Sequence, residues 1–547
     1  MDYGDLKQKL KGELLVNQKD ITPYSIDASI FSIMPNAVAK PLDSADISTL
    51  VNYAREHKPT NPGLSLTVRA GGTDMTGGSI NDSIIIDVAA HMNRIEKIGD
   101  DYAIAQPGVW YRDFEASTLA RGLQMPAYPA SKAICALGGM VGNNAGGEKS
   151  LSYGQVKNFV EGLWAVLADG KEYYIEPLDE AGLKAKLELK NFEGDLYRSV
   201  YRLLADNYDA IKLAKPSTSK NSSGYFLWDV WDKNTGKFDL TQLLVGSQGT
   251  LGIVTKIKFR LIKPKRSSGL LIIPLPNLDE VGHIVNTVKS YVPESFELYD
   301  KSTLDLALTY LPEIFRKMKG SRLKLAFNLL PEIFQKLTGR LPQIILFAEF
   351  TGDSPEQVKD KLYKAHAEIQ NLYKVKTKVA LNFESAQKYW TIRRESYNLL
   401  RMHNVGKISA CFIEDIIVHP DQLPEFMPRL YEIFAKYPSF VYTIAGHAGD
   451  ANFHIMPLMD FKNPDQRNVI LQLANLVFDL VKEFNGSMSA EHNDGIVRGS
   501  FLSKMYSPEI CELFRQTKAI FDPDHIFNPN KKIEATAEFF TKSLKAG

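Results

Sequence analysis

Two short, glycine-punctuated segments near the C-terminal end carry three of the chain's ten histidines. Any fold the chain adopts has to account for them. The first is Gly446-His447-Ala448-Gly449-Asp450-Ala451-Asn452-Phe453-His454. Apolar residues precede it (Val441 to Ala445) and follow it (Ile455, Met456), a pattern that reads as strand, tight turn, strand. Such a turn sets His447 and His454 side by side. The second segment, Ser489-Ala490-Glu491-His492-Asn493-Asp494-Gly495, can add the Glu491 carboxylate. Two imidazoles and a carboxylate suit a divalent ion with an open coordination position: zinc, manganese or iron. His492 is then left free as a base. On spacing alone, two histidines seven apart are more often separate surface or hydrogen-bonded residues than ligands, so the rest of the chain has to decide.

At 547 residues the chain exceeds a single core, and two or three domains are expected. A formal net charge of +1 gives no reason to expect nucleic acid as a partner. Cys135, Cys411 and Cys511 show no CxxC spacing. That argues against an iron–sulfur cluster held by this chain alone, and against a disulfide framework. The charged start, Met1 to Lys7, has no apolar signal region, and no stretch approaches the ~20 apolar residues of a spanning helix. A cytoplasmic setting is the expectation.

The first half reads as strands joined by glycine-rich turns. A lead-in over 1–35 is followed by a helix through Ala54-Arg55, capped by Asp46, and a buried strand Leu64 to Val68. Then comes Arg69-Ala70-Gly71-Gly72-Thr73-Asp74-Met75-Thr76-Gly77-Gly78, and a second strand at Ser83 to Val88. A turn of this kind exposes backbone N–H groups to a pyrophosphate, although a plain glycine turn is the other reading. It is neither G-x-G-x-x-G nor a P-loop. A second stretch holds Pro129, Ser131, Gly138, Gly139, Asn143, Asn144 and Gly146, and a third runs from Leu243 to Thr255. Alternating small, amide and apolar residues in the second suit a wall against a large planar ligand.

In this order and spacing the three stretches resemble the FAD-binding domain of the vanillyl-alcohol-oxidase/p-cresol-methylhydroxylase flavoproteins. Together with the histidine segments and Phe521-Asp522-Pro523 to Phe527-Asn528-Pro529, they resemble the FAD-linked D-2-hydroxyacid dehydrogenases over roughly residues 36 to 535. The resemblance implies an α+β fold: an FAD-binding domain over 36–265, a substrate-capping domain over 266–480, and a C-terminal segment, 481–547, that returns to the flavin. It places FAD against Ala70, Gly71, Gly72, Thr73, Asp74, Gly77, Gly78, Pro129, Ser131, Gly138, Gly139, Asn143, Asn144, Gly146, Gly249, Thr250, Ile253 and Asn528. Thr73 stands where covalently flavinylated relatives carry a histidine, which implies non-covalent FAD. It makes His447, His454 and Glu491 the metal ligands and His492 the base that takes the hydroxyl proton as hydride leaves for flavin N5. Arg393, in Trp390-Thr391-Ile392-Arg393, is implied as the carboxylate clamp, with Lys407 a second candidate. Arg394 and Glu395 are expected on a solvated helix face. Asp415, at the start of an acidic-lipped strand, can orient a ligand histidine. The family commonly has glycine where this chain has Ala451 and Asn493, which bears on substrate size more than on reaction type.

The implied activity is oxidation of a small D-2-hydroxyacid of the D-lactate, D-2-hydroxyglutarate or glycolate type. Electrons would pass to a separate acceptor: a quinone, an electron-transfer flavoprotein or an iron–sulfur protein. A non-catalytic flavin-carrying relay subunit is the alternative, although it has no use for the histidine set. Within the cap, Ala307 to Phe315 recurs as Ala326 to Phe334. This duplicated hairpin over 302–340 is rich in basic residues. It reads as two helices packed on the cap, or as a peripheral contact with a membrane or partner.

Overall fold

The computed structural model describes residues 3–317, 322–402, 406–438 and 440–546. Lys319, one of the basic residues of the duplicated hairpin, lies outside them. Three large sheets, beside the two-stranded ribbon Trp231–Asp232/Lys237–Phe238, organise the described residues. In the first, Ala37–Lys40, Ile84–Asp87 and Leu66–Arg69 run parallel, and Glu13–Leu15 adds an antiparallel edge. The lead-in is therefore part of this sheet, with Leu6 and Leu14 buried in its core. The helix Ser44–His57 is capped by Asp43, whose side chain accepts from Ala45 and Asp46 N–H, and not by Asp46 as the sequence suggested. Asp46 instead points back to accept the N–H groups of Lys11, Gly12 and Leu42 at 2.9–3.0 Å. A buried acid that ties down a returning chain outcompetes a cap role here.

The second sheet has five antiparallel strands in the order Ile95–Ile98, Tyr102–Ala105, Ile253–Arg260, Val160–Val166, Glu172–Ile175. The third begins at Ser267. Its eight strands include Ser267–Leu275, Ile344–Gly352, Ser295–Asp300 and the hairpin Val441–His447/Asn452–Met459. Ser295–Asp300 is buried along its whole length. The duplicated stretch forms the helices Lys301–Thr309, Leu311–Lys317 and Arg322–Leu337. They pack through Leu304, Ile314 and Leu329 against Tyr389 and Ile392 of the helix Phe383–Met402.

The far end of the chain closes the first sheet. Leu66 N–H donates to Ile526 O at 2.7 Å, and Asn528 N–H to Leu66 O at 2.8 Å. The Asn528 amide donates to the carbonyls of Gly78 (2.8 Å) and Gln248 (2.7 Å), and its oxygen accepts from Thr67 (2.9 Å). One side chain thus joins the first and third glycine-rich stretches. Asn528→Ala leaves two buried carbonyls unpaired and sets at a left-handed position (φ 41°) a residue that tolerates it less readily than asparagine. The expected loss is about 2–4 kcal/mol of unfolding free energy, read as a lower urea midpoint with an unchanged slope.

Candidate active site

The glycine-rich stretches enclose a groove. One wall is Ala70, Gly71, Gly72, Thr73, Asp74 and Gly78; the other is the helix Leu137–Asn143 with Gly138, Gly139 and Asn143; Gly249 closes it. Most of this lining is bare backbone because the residues carry little or no side chain. A Cβ on Gly78 would lie 2.5 Å from the Gln248 amide. The Asp74 carboxylate is consumed by Gly78 N–H (2.6 Å), Thr76 N–H (3.1 Å) and the Asn143 amide (2.9 Å), so it fastens the two walls together. The groove also takes in Pro107, Ser247, Gln248 and Val254, which sequence reasoning did not select.

The other expected flavin residues lie beside the groove. Gly77 has φ 81° and packs where a Cβ would strike Phe31 and Ile496. Thr250 is buried and bonded to Tyr225 (2.7 Å), and Ile253 sits in the core of the first sheet. Asn144 caps the helix Leu137–Asn143 in the left-handed conformation. Pro129 and Ser131 precede that helix in an irregular segment. Asn528 staples the walls from behind. Gly146 faces the other half of the site: a Cβ there would meet Glu491 Oε2 at 2.6 Å.

The hairpin forms as the sequence implied, with Ala445 opposite His454 and His447 opposite Asn452. His447 Nε2 lies 3.1 Å from Glu491 Oε1 and 3.2 Å from His454 Nε2, and His454 Nε2 lies 3.4 Å from the same oxygen. Three donor atoms ~2.1 Å from one ion at near-tetrahedral angles would be about 3.4 Å apart, so this set fits a divalent ion. A second grouping, Asp415, His454, Glu491 and His492, also has ligand atoms within 4.8 Å of one another. It is the poorer set. Asp415 Oδ2 already accepts Ser489 Oγ–H (3.1 Å) and the N–H groups of Glu491 (2.9 Å) and His492 (2.7 Å).

Buried partners fix each ligand. His447 Nδ1 meets Glu297 Oε1 at 2.6 Å, which directs Nε2 inward. Arg393 Nε lies 3.2 Å from Glu297 Oε2, so the predicted clamp enters the cluster by way of that glutamate. Lys220 is buried and donates to Glu491 Oε2 (2.8 Å) and Asn452 Oδ1 (2.8 Å). His492 Nδ1 hydrogen-bonds Glu414, which also receives Arg498 at 2.6 Å. His454 Nδ1 is buried with no hydrogen-bond partner among the described residues. Lys407 is half-buried, and among the described residues no hydrogen bond or ion pair joins it to the cluster. Arg394 stands exposed on its helix as expected, and its guanidinium also forks onto Glu148 (2.8 Å to each oxygen), linking cap to groove domain. Lys220, Glu297 and Arg498 were missed. An acid inside the apolar run Phe296-Glu297-Leu298-Tyr299 was the available signal for one of them.

Five carboxylates (Glu297, Glu414, Asp415, Asp450, Glu491) thus face three fixed cations (Lys220, Arg393, Arg498), an excess of two negative charges when all are ionised. Buried charge of this kind has to be compensated. Burial alone would push the His492 imidazole down, but Glu414 and Asp415 reverse this and hold it up at about 9. Burial likewise opposes His447, and Glu297 raises it. His454, buried and beside the other imidazoles, is pushed down to about 3. Glu491 is held well below the usual carboxylate range: burial opposes this, and Lys220 and His447 win.

The cluster abuts the groove. The Asn493 amide donates to Gly246 O (2.9 Å) and Asn143 O (3.2 Å), and Gly495 N–H to Gln248 Oε1 (2.8 Å). Asn143 and Gln248 line the groove, so the histidine segment is tied directly to its wall.

Residues 35–175 match the family described as "FAD binding domain", and residues 264–532 that described as "FAD linked oxidases, C-terminal domain". The chain is 25% identical to a D-2-hydroxyglutarate dehydrogenase of Pseudomonas putida over 526 residues, 95% of this chain and 50% of that protein. It is 27% identical to a D-lactate dehydrogenase of Archaeoglobus fulgidus, covering 93% of this chain and 95% of the relative. With the glycolate oxidase subunit GlcD of Bacillus subtilis it shares 26% identity over 93% and 91% of the two chains. The chain thus spans about half the length of the D-2-hydroxyglutarate dehydrogenases of Pseudomonas putida (50%) and Escherichia coli (51%), but nearly all of that of Stutzerimonas stutzeri (96%) and of the other two relatives. Among solved structures, p-cresol methylhydroxylase with substrate bound superposes with TM-score 0.66 at 14% identity, covering 96% and 94% of the chains. A 4-ethylphenol oxidase from Gulosibacter chungangensis gives 0.66 at 16%, covering 96% and 95%. Both show the fold.

Because its pKa is raised, His492 in protein stripped of divalent ions is imidazolium below about 9 and neutral above. The stability this lends is complete below the ordinary value near 6.5 and fades as pH climbs through 9. In Glu414→Gln the largest raising charge is gone, so the His492 ring signals in NMR should titrate closer to 6.5. An unmoved titration would contradict the assignment.

Proposed function

As a member of the FAD linked oxidases, built from an FAD binding domain and their C-terminal domain, the chain is one for which we propose oxidation of a D-2-hydroxyacid to the 2-oxoacid. The observation that carries this reading is the convergence of His447 Nε2, His454 Nε2 and Glu491 Oε1 beside a base, at the wall of the flavin groove. A bare flavin carrier would not need a compensated acid cluster there.

When bound, the flavin supplies the acceptor for the hydride, and a divalent ion supplies a Lewis acid for the substrate's hydroxyl and carboxylate oxygens. His447, His454 and Glu491 would hold that ion. Glu297 sets the His447 tautomer, and Lys220 occupies the second Glu491 oxygen so that Oε1 alone faces the histidines. His492 takes the hydroxyl proton at Nε2, its Nδ1 being engaged by Glu414. It accepts only when neutral, a state favoured by positive charge beside Glu491. Arg393, aligned by Glu297, meets the substrate carboxylate. The electron acceptor is a separate molecule.

Anaerobic addition of D-lactate, D-2-hydroxyglutarate or glycolate to the flavin-loaded protein should bleach the flavin absorbance, with L-enantiomers inert. His492→Ala should retain flavin but bleach about 10²–10⁴-fold more slowly. Bleaching by NADPH alone, or by no hydroxyacid, would refute the reading. Metal binding has its own check. The two excess negative charges are compensated by imidazole protons in the ion-free cluster, so zinc or manganese should displace about one to two protons per ion near neutral pH. Calorimetry in buffers of different ionisation enthalpy counts them, and His447→Ala should lower the count.

A further inference from the structure

The helix Arg322–Leu337, second copy of the duplicated stretch, has two unlike faces. Inward, Leu329 is buried in the cap cluster, and Glu332 is buried and receives Lys388 Nζ at 2.9 Å. Lys336 reaches back to Asp305 at 2.9 Å. Outward stand Leu330, Phe334 and Leu337, which are 49%, 65% and 81% exposed. Spacings of four and three put them in one stripe along the helix. A single exposed apolar residue is ordinary; a continuous stripe on one helix face calls for a partner.

Local charge identifies the partner. Between Leu311 and Arg340 the sequence has Arg316, Lys317, Lys319, Arg322, Lys324, Lys336 and Arg340 against Glu313 and Glu332. Of the two acids, Glu332 is already neutralised by Lys388. The whole chain carries only +1, so the excess is concentrated here. An apolar stripe on a helix in a segment of this basic composition suits the interface of an anionic bilayer. We propose that the Leu330–Phe334–Leu337 face docks on an anionic lipid surface. The contact is peripheral, since no helix among the described residues is long and apolar enough to cross a membrane.

The test is sedimentation of the flavin-loaded, full-length protein with vesicles. Phosphatidylcholine vesicles containing phosphatidylglycerol should pellet it, increasingly weakly as salt rises, and pure phosphatidylcholine vesicles should not. The combined variant Leu330→Ser, Phe334→Ser, Leu337→Ser should lose at least about tenfold in partitioning. The Leu330→Ala, Phe334→Ala, Leu337→Ala variant, which keeps helix propensity, should behave the same. Both should retain flavin content and turnover with a water-soluble dye acceptor. Wild-type protein that stays in the supernatant with anionic vesicles overturns the proposal, as does a variant that pellets like wild type. So does a dimer, seen by analytical ultracentrifugation, that the alanine variant converts to monomer, because the stripe would then be the seat of a second copy.

Discussion

A single buried carboxylate holds the active-site region in register. Asp415 sits at a left-handed backbone position (φ 75°) at the entrance to a two-residue strand. It collects the N–H groups of Glu491 and His492, the Ser489 hydroxyl and the Asn452 amide. Two segments that meet nowhere else in sequence, the histidine hairpin and the Glu-His segment, are thereby fixed to one side chain. Gln155 repeats the device from the groove side, donating to Ala490 O (3.0 Å), Asn144 O (2.8 Å) and Ser222 (2.9 Å). In a water-poor interior, where an unpaired polar group costs one to several kcal/mol, such multiply engaged side chains leave the segments a single way to lie.

The same network explains what could be read beforehand. The hairpin was legible because apolar strands flank a glycine turn, a local pattern with a local cause. The groove walls were legible because a ligand that presses against backbone demands small residues. Glu491 and His492 follow no local period; the crowding of histidines and carboxylates into two glycine-punctuated segments singled them out, and the likeness to a family agreed with that reading. Lys220 escaped entirely. It lies in the irregular stretch Pro216–Ser223, where a lysine looks solvated, and only the third dimension shows it buried against Glu491. Arg394 stands on the exposed face that was expected for it, but helical spacing could not show the Glu148 carboxylate of the other domain beside it. Asn528 was expected against the flavin; in the structure its amide is spent on the protein's own carbonyls behind the groove wall.

The two departures from the family pattern also have a physical account. Ala451 (φ 53°) and Asn493 (φ 74°) both occupy the left-handed region where glycine rests without cost. Asparagine visits that region readily, and Asn493 gains three partners by doing so: Gly246, Asn143 and Lys532. Alanine has no such return. Its ~1 kcal/mol or more of strain is carried by the tight turn between the two ligand strands, where Ala451 N–H closes onto Ala448 O at 3.0 Å.

The pairing of Leu66 with Phe527 has a temporal side. The edge strand of the first sheet finds its outer neighbour only after more than four hundred further residues have been made, and loop closure over that span is slow. During synthesis the opening half must therefore wait on the ribosome with its dinucleotide cleft unclasped. The first sheet is therefore finished only when the tail arrives, after the other strands of that sheet have been made.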